Sequence, residues 1–204
     1  MQRKFPYQNG PWQVEREEIA FENPWLRITN YPVKQPNGML GDYGVVHFKN
    51  RAIGILPIDD QGRVPMVGQH RFPLEAYSWE LPEGGGLLDE DPLRAAQREL
   101  KEETGYTAGS WHEFLSFDVS NSVTDEVSVC YIATDLTAGA PSPDPTEVLD
   151  RRLVSFHDLH KSVLMGHIRD SLTVIMVLSA HAKALQNMLP APICSLILNN
   201  ESAQ

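Results

Sequence analysis

The sequence predicts a mixed α/β sandwich, and three observations support this fold class. Short runs of alternating apolar and polar residues, typical of strands, occur before and after a central segment with helical periodicity. Further helical segments follow near the C-terminus. A chain of 204 residues, 42% of them hydrophobic, is long enough to bury a substantial core. Strands on both sides of one central helix, with helices at the end, are typical of a layered α/β fold.

Residues 12–48 are predicted to form antiparallel strands, because their apolar and polar runs are short and are interrupted at Asn23-Pro24 and again at Asn37-Gly38. The Asn-Gly pair favours a tight hairpin turn. Two further strand-like runs, residues 52–58 and 63–69, surround a turn rich in aspartate and glycine. They predict a second hairpin.

A central helix with clear ends is predicted after three consecutive glycines, Gly84 to Gly86, which we interpret as a backbone turn able to approach a ligand. Asp91 can cap the helix, Pro92 suits its first position, and Gly105 suits the position just past its end. The apolar residues on one side, expected to be buried, are Leu93, Ala96 and Leu100.

The C-terminal half is predicted to contain two strands, residues 111–119 and 126–136, and then a long proline-rich loop over residues 138–147. Another strand runs into a short helix that ends near Gly166. A longer helix follows, from about Ser171 to Met188.

Composition excludes several classes of protein. The net charge of -10 and the pI near 5.1 argue against binding to duplex nucleic acid. An acidic protein can still hold a phosphate-bearing ligand if divalent cations supply positive charge. No secretory signal and no membrane span are indicated. Cys130 and Cys194 have no zinc-like spacing, so a reducing, cytoplasmic setting is expected.

Three glutamates, Glu99, Glu102 and Glu103, share one face of the predicted helix, where like charges repel. Such a run is usually a solvated acidic surface. Two features favour a metal site instead: Arg98 next to the cluster and the three glycines upstream. Carboxylate oxygens on a rigid element suit Mg²⁺ or Mn²⁺, and a dication converts the repulsion into attraction.

The same region matches a known motif. Gly84 is followed after five residues by Glu90, and after seven more by the run RELKEETGY, residues 98–106. This arrangement is similar to the Nudix box, G-x5-E-x7-R-E-U-x-E-E-x-G-U, in which U is apolar. Every fixed position is present, and Tyr106 at the last U is a mild variation. The resemblance covers residues 25–159 and implies an α/β/α sandwich that hydrolyses a nucleoside diphosphate linked to another group.

The resemblance implies roles residue by residue. The implied ligands of Mg²⁺, or of Mn²⁺, are Glu99, Glu103, Glu102 and the backbone carbonyl of Glu83. Of these, Glu99 and Glu103 are the principal ligands, and Glu102 contacts the metal directly or through water. Arg98 is similar to the arginine that orients the catalytic glutamates, and Glu90 to the residue that braces the loop against it.

The segment before the box, VGQHRFPLEAYSWELPEGGG, resembles the ADP-ribose and nucleotide-sugar pyrophosphatase branch. There a strand ending in Gln-x-Arg leads to Glu-Leu-Pro-Ala-Gly and then to the box. The resemblance implies that Arg71 holds a substrate phosphate and that Glu80 lies beside the metal site. A surface ion pair is the alternative for Arg71. Glu83 departs from the pattern, because the branch usually has alanine there.

In that branch an N-terminal β extension helps to form a homodimer and supplies aromatic residues that stack on the nucleobase. Residues 1–48 are accordingly interpreted as this extension, and residues 49–204 as the hydrolase domain with its C-terminal helix. Trp25 and Tyr43 stand where the stacking residues could fall. Ordinary strand packing is the alternative for both.

The general base is expected in a loop after the box, and the candidates are Glu147 and Glu126. Glu147 is preferred, because it lies in a long loop just before a strand. Either residue could instead be a solvated surface glutamate.

Together these features predict a Mg²⁺-dependent hydrolase of the pyrophosphate bond in ADP-ribose or a related nucleoside-diphosphate sugar, which releases a nucleoside monophosphate and a sugar phosphate. Metal ions can neutralise the diphosphate, activate water and stabilise the leaving group without a side-chain nucleophile. Two alternatives stay open: another diphosphate substrate, such as a dinucleotide polyphosphate or GDP-mannose, and a non-catalytic ADP-ribose sensor. We expect a homodimer without nucleic-acid or membrane partners.

Overall fold

The computed structural model describes residues 4–142, 146 and 148–198. The secondary structure of these residues comprises twelve β-strands, four α-helices and a short 3₁₀ turn, which confirms the mixed α/β prediction. The chain divides into two units, residues 1–51 with 117–127, and residues 52–116 with 128–204. No helix in the described part of the chain has the length and apolar character needed to cross a membrane.

The first unit contains an antiparallel sheet in the order β1-β2-β4-β3, with β5 paired to the other side of β4. Its strands are β1 (Tyr7–Asn9), β2 (Trp12–Val14), β3 (Glu18–Glu22), β4 (Leu26–Lys34) and β5 (Leu40–Phe48). The predicted hairpin is confirmed: β4 and β5 pair around a turn in which Gly38 has a φ of +85°. The Asn37 side chain accepts from the Met39 amide at 3.0 Å, as asparagine does in such turns.

Two further sheets carry the remaining strands. A four-stranded sheet has the order β10-β11-β6-β9, and a three-stranded sheet has the order β12-β7-β8. The strands are β6 (Asn50–Pro57), β7 (Arg63–Arg71), β8 (Ala76–Glu80), β9 (Glu83–Leu87), β10 (Thr107–Asp118), β11 (Val127–Thr137) and β12 (Asp150–Ser155).

The second predicted hairpin is wrong, although both of its strands exist. β6 and β7 follow each other in the chain but lie in different sheets. β6 pairs in parallel with β11, from Ala52 opposite Ser128 to Pro57 opposite Ala133, whereas β7 pairs with β8 and β12. The run from Ile53 to Ile58 is almost continuously buried, which is typical of a strand covered on both faces rather than of a hairpin arm.

The glycine-rich segment is also different from the prediction, because residues 83–87 form strand β9 rather than a turn. None of its three glycines has a positive φ. Gly84 and Gly86 are required by close packing, and a Cβ on Gly86 would lie 3.0 Å from Ala95 and 3.1 Å from Ile53. The central helix, α1 (Pro92–Thr104), therefore approaches β9 and β6 closely.

Helix α1 (Pro92–Thr104) begins and ends as predicted. The Asp91 side chain accepts from the Leu93 amide at 3.0 Å, and Gly105 adopts a left-handed conformation just past the end. The helix packs through a buried cluster that consists of Ile53, Ile55, Ala95, Ala96, Leu100, Tyr131 and Ala133. This packing on β6 and β11 fixes which face of α1 is left for the glutamates.

Three more helices follow, α2 (Phe156–Leu164), α3 (Ser171–Leu185) and α4 (Ala191–Leu198). The first two agree with the sequence prediction. Helix α4 was not predicted as a separate element, because it has only eight residues and its apolar run lacks polar alternation. It buries Ile193, Cys194 and Ile197.

Candidate active site

The three glutamates of α1 differ in burial. The side chain of Glu103 is almost completely buried, with a relative exposure of 2%. The Glu99 side chain is 12% exposed and the Glu102 side chain 36%. The acidic face predicted from the sequence therefore turns inwards at Glu103 and outwards at Glu102, so it is more than a solvated helix surface. Charges buried to this degree require compensating partners.

Glu103 is fixed by hydrogen bonds to both its side chain and its main chain. Its Oε2 accepts a hydrogen bond from the Glu83 amide at 3.1 Å. The Nε of Arg151, on β12, donates to the main-chain oxygen of Glu103. The carboxylate is thus held against the strand that carries the first box glycine, and the end of α1 is held against β12. Arg151 was not singled out in the sequence, where nothing local indicates this contact.

Arg98 connects the helix to β9. Its Nη1 donates to Glu99 Oε1 at 2.7 Å and to Glu102 Oε2 at 3.0 Å, and its Nη2 donates to the Gly85 carbonyl at 3.0 Å. The Glu90 carboxylate lies 3.8 Å from Nη2 and accepts from the Leu87 amide at 3.3 Å. The guanidinium therefore sets the orientation of two candidate ligands at once.

Gly84 leaves the space in which the Glu99 carboxylate lies. A Cβ at this position would overlap the carboxylate carbon and both of its oxygens. Since the φ of Gly84 is not positive, the glycine is required here by close approach and not by backbone conformation. The strand β9 and the helix α1 together form a carboxylate-lined site.

A second group of charged residues lies next to this site on β7 and β8. Arg71 Nε donates to both carboxylate oxygens of Glu80, at 2.9 and 3.1 Å, and Nη2 donates to Glu80 Oε2 at 2.5 Å. The same Nη2 also donates to Glu83 Oε1 at 2.6 Å. Burial alone would lower the pKa of Arg71, but Glu80 and Glu83 raise the pKa above its ordinary value.

Asp170 joins this group from a distant part of the chain. It caps α3, accepting from the Thr173 amide at 2.7 Å. Among the described residues, one group of three carboxylates has oxygens that all lie within 4.8 Å of one another, and it consists of Glu80, Glu83 and Asp170. The sequence pattern Asp-x-x-Thr indicates a helix cap. This pattern does not indicate that the Asp170 carboxylate also lies close to Glu80 and Glu83.

The charge of this group suits a divalent cation. Burial raises the pKa of the Glu83 carboxyl well above its usual range, and Asp170 and Glu80 raise the pKa further, whereas Arg71 lowers it. Glu83 Oε2 is buried and has no hydrogen-bond partner. An excess of hard, partly unsatisfied oxygen ligands next to the box glutamates is what Mg²⁺ or Mn²⁺ requires. This group therefore fits a divalent cation, but of the predicted ligands it contains only Glu83, and through the side chain rather than the backbone carbonyl.

Ser142 in the proline-rich loop and Arg151 on β12 are both bonded to the end of α1. The Ser142 amide donates to the Glu102 carbonyl at 3.0 Å, and Arg151 binds the Glu103 carbonyl as described above. A Cβ on Gly105 would collide with the backbone of Gly139. Glu147, the preferred general base, lies outside the described residues, so its role stays a prediction.

Glu126, the other candidate base, lies in the first unit at the start of β11. Its side chain is half-buried, and its amide donates to Thr124 Oγ1 at 2.7 Å. Burial raises the pKa of the carboxyl, and the neighbouring Asp125 raises it further. A raised pKa suits a general base near neutral pH, but the role of Glu126 also stays a prediction.

The aromatic residues proposed to stack on a base have different surroundings. Trp25 is 67% exposed. Tyr43 is half-buried, meets Trp12 edge-on with ring centroids 5.4 Å apart, and donates to the Ser122 carbonyl at 2.9 Å. Tyr43 lines a cavity of about 500 Å³ within the first unit. The other aromatic rings that line this cavity belong to Tyr7, Trp12, Tyr31 and His47.

Comparison with known proteins agrees with this geometry. The family model described as NUDIX domain matches residues 48–173, more than half of the chain. An "ADP-ribose pyrophosphatase" from Mycobacterium tuberculosis is 34% identical over 167 residues, which cover 79% of this chain and 79% of that protein. A "Methanol dehydrogenase activator" from Bacillus methanolicus is 33% identical over 166 residues, which cover 80% of this chain and 89% of that protein.

A solved structure described as an ADP compounds hydrolase superposes with a TM-score of 0.77 and covers 89% of this chain and 98% of its own. Its sequence identity of 17% makes this a similarity of fold. The α/β/α architecture expected from the box is thereby confirmed. The matched domain, the complete box and the shared fold together show that the chain belongs to the Nudix family.

Proposed function

We propose that the protein is a Nudix pyrophosphatase that hydrolyses ADP-ribose or a related nucleoside-diphosphate sugar to a nucleoside monophosphate and a sugar phosphate. The observation that carries the proposal is the carboxylate-lined site between β9 and α1, in which Arg98, Gly84 and the Glu83 amide hold the box glutamates in place. The name of the relative from Mycobacterium tuberculosis supports this choice of substrate.

The residues that would hold Mg²⁺ are Glu99, Glu103, Glu102 and the backbone carbonyl of Glu83. When bound, the metal supplies charge neutralisation for the diphosphate and activation of the attacking water. Arg98 fixes Glu99 and Glu102, which reduces the entropy lost when the ligands are ordered. Arg71 supplies positive charge for a substrate phosphate, and Glu80 holds its guanidinium in place.

Product analysis tests the proposal. The purified protein is incubated with Mg²⁺ and, separately, with ADP-ribose, UDP-glucose, GDP-mannose and diadenosine polyphosphates. We expect the fastest conversion with ADP-ribose or another sugar nucleotide, yielding monophosphates. Equal or better rates on a polyphosphate would assign the protein to another substrate class. Tight binding of ADP-ribose without turnover would assign it to the non-catalytic sensors.

The general base is tested by separate substitutions. We propose Glu147 as the base and expect E147Q to lower kcat by about two orders of magnitude, the usual contribution of general base catalysis. E147Q should also remove the acid limb of the pH profile, since that limb reports protonation of the base. E126Q is the matched comparison. Loss of the acid limb in E126Q alone would transfer the role to Glu126.

We also propose that the protein is a homodimer, in which residues 1–48 contribute to the dimer interface. Support comes from exposed apolar side chains on β3, where Ile19 is 54% and Phe21 52% exposed. Sedimentation equilibrium should report twice the chain mass of 22.9 kDa. A mass of one chain over the concentration range used for assay would contradict the proposal.

A cytoplasmic location is proposed from the cysteine chemistry. Cys130 and Cys194 are both free and buried, and unpaired thiols are typical of reducing compartments. Cell fractionation with a compartment marker checks the location, and recovery in an oxidising compartment would contradict it.

A further inference from the structure

The guanidinium of Arg71 has five N–H donors, and the structure shows the acceptors of three of them. The single Nε hydrogen is shared between the two oxygens of Glu80. The two hydrogens on Nη2 are directed to Glu80 Oε2 at 2.5 Å and to Glu83 Oε1 at 2.6 Å. No described residue accepts a hydrogen bond from Nη1. A guanidinium has five N–H donors in total, so Nη2 is fully used and Nη1 is not.

Arginine binds phosphate most strongly through two parallel hydrogen bonds. At Arg71 the Nε and Nη2 side is occupied by Glu80, so a phosphate has to use Nη1 and Nη2 together. That arrangement requires the Nη2 hydrogen that Glu83 now accepts. A substrate phosphate and the Glu83 carboxylate therefore compete for the same donor.

Glu83 is held in a position from which it can continue to accept the hydrogen bond from Arg71 Nη2. Its side chain is only 13% exposed, and its amide is bonded to Glu103, so the residue has little freedom to move away. Its second oxygen, Oε2, is buried without a hydrogen-bond partner. The bond to Arg71 is therefore the main compensation for this buried charge, and giving it up is unfavourable.

We propose that the Glu83 carboxylate competes with a substrate phosphate for the Nη2 donor of Arg71 and so weakens substrate binding. The inference rests on the proposed function, because it concerns a phosphate at the same site. It gives the departure of this chain from the Glu-Leu-Pro-Ala-Gly pattern a physical consequence, because an alanine would leave the Nη2 hydrogen available. Glu80 alone keeps the guanidinium oriented, through Nε and the other Nη2 hydrogen.

The test measures KM and kcat for ADP-ribose at saturating Mg²⁺. We expect E83A to lower KM about tenfold, the size expected for one hydrogen bond to a charged group, with a smaller change in kcat. E83Q, which keeps an oxygen acceptor but no charge, should give an intermediate KM. R71A should raise KM, and the double variant R71A/E83A should have the KM of R71A, because the competition needs Arg71.

The matched control is E75Q, which removes one negative charge from the turn between β7 and β8. Glu75 is exposed, and its side chain has no ion pair with any described residue. E75Q should leave KM unchanged. A fall in KM that persists in the R71A background, or that E75Q reproduces, would show a general charge effect and overturn the proposal. A higher KM in E83A, or a higher Mg²⁺ requirement, would overturn it as well.

Calorimetry separates this proposal from the proposed function. ADP-ribose is titrated into the parent, E83A, R71A and R71A/E83A in the presence of EDTA. Binding that is tighter in E83A than in the parent, but equal in R71A and R71A/E83A, supports the competition even if the parent does not turn over ADP-ribose, which would contradict only the substrate assignment. Equal or weaker binding by E83A contradicts the competition, whatever the turnover of the parent.

Discussion

Glu103 is the residue on which the candidate site depends most. Its side chain is buried and accepts from the Glu83 amide, so a glutamine can keep this hydrogen bond while the negative charge is removed. We expect E103Q to lower kcat by at least about 100-fold, which corresponds to about 2.7 kcal/mol of transition-state stabilisation. Steady-state turnover of ADP-ribose measures the change.

Stability distinguishes loss of a metal ligand from loss of the fold. Without metal, E103Q should melt no lower than the parent, because it relieves repulsion among the carboxylates. The control is again E75Q, which should keep normal turnover. Near-normal turnover in E103Q would show that Glu103 does not bind the metal.

Gly84 provides a second test at the same scale. In G84A the new methyl group would occupy the position of the Glu99 carboxylate, so Glu99 must rotate away from the site. We expect the Mg²⁺ concentration for half-maximal activity to rise at least about tenfold, in the range of losses seen when the orientation of a metal ligand is disturbed.

The matched control for G84A is G44A. A Cβ added to Gly44, in β5, would meet no atom within 4 Å, and the φ of this glycine is not positive, so an alanine fits there without steric conflict. Activity of G44A should have the Mg²⁺ dependence of the parent. If G84A also had the parent dependence, the Glu99 carboxylate would not be required in its present position.

At the scale of elements, the cap of α1 contributes to stability separately from catalysis. Removing the Asp91 side chain leaves the Leu93 amide without its acceptor. D91A should cost about 1 kcal/mol and lower Tm by about 2 to 4 °C for a chain of this size. D89A, an exposed aspartate just before the cap, should leave Tm unchanged. An equal decrease in Tm in D91A and D89A would show a general charge effect and would contradict the role of Asp91 as a helix cap.

Elements with local determinants were predicted correctly, and elements that depend on distant partners were not. Both ends of α1 follow from Asp91, Pro92 and Gly105, which act on their immediate neighbours. The false hairpin between β6 and β7 arose because pairing is decided by β11 and β12, far along the chain.

The same distinction between local determinants and distant partners applies to the candidate site. The box glutamates and Arg98 lie within one helix, so their relation is fixed by helical spacing and could be predicted. The acidic group of Glu80, Glu83 and Asp170 could not be predicted, because Asp170 reaches it only through tertiary packing. The bond between the Leu81 amide and Thr173 Oγ1, at 2.9 Å, is part of that packing.

At the scale of the whole molecule, ionisation of the Cys130 thiol makes the free energy of unfolding depend on pH in the alkaline range. Burial raises the pKa of this thiol to about 11, although a hydrogen bond between the thiol and Ser128 lowers it. A thiol in the unfolded chain loses its proton near pH 8.5. Between about pH 8.5 and pH 11 the unfolded state therefore binds fewer protons than the folded state, and stability falls as pH rises. Well below pH 8.5 the thiol is neutral in both states and contributes no pH dependence.

We expect ionisation of the Cys130 thiol in the unfolded chain to lower the free energy of unfolding by about 2 to 3 kcal/mol between these two pH values. C130S removes the titrating group, so its free energy of unfolding should fall less than that of the parent between pH 8.5 and 10.5. C194S is the matched control and should lose stability as the parent does. Urea unfolding at the two pH values gives the difference, and parallel losses in the parent and C130S would contradict the assignment.

The parallel pairing of β6 with β11 also has a consequence for the order of folding. Residues 52–57 pair with residues 128–133, and the whole glutamate helix lies between them in the chain. The sheet on which α1 packs is therefore incomplete until a large loop has closed, a slow step for any chain. During synthesis, α1 leaves the ribosome well before β11. We expect metal-binding competence to appear late in refolding, after most helical structure has formed.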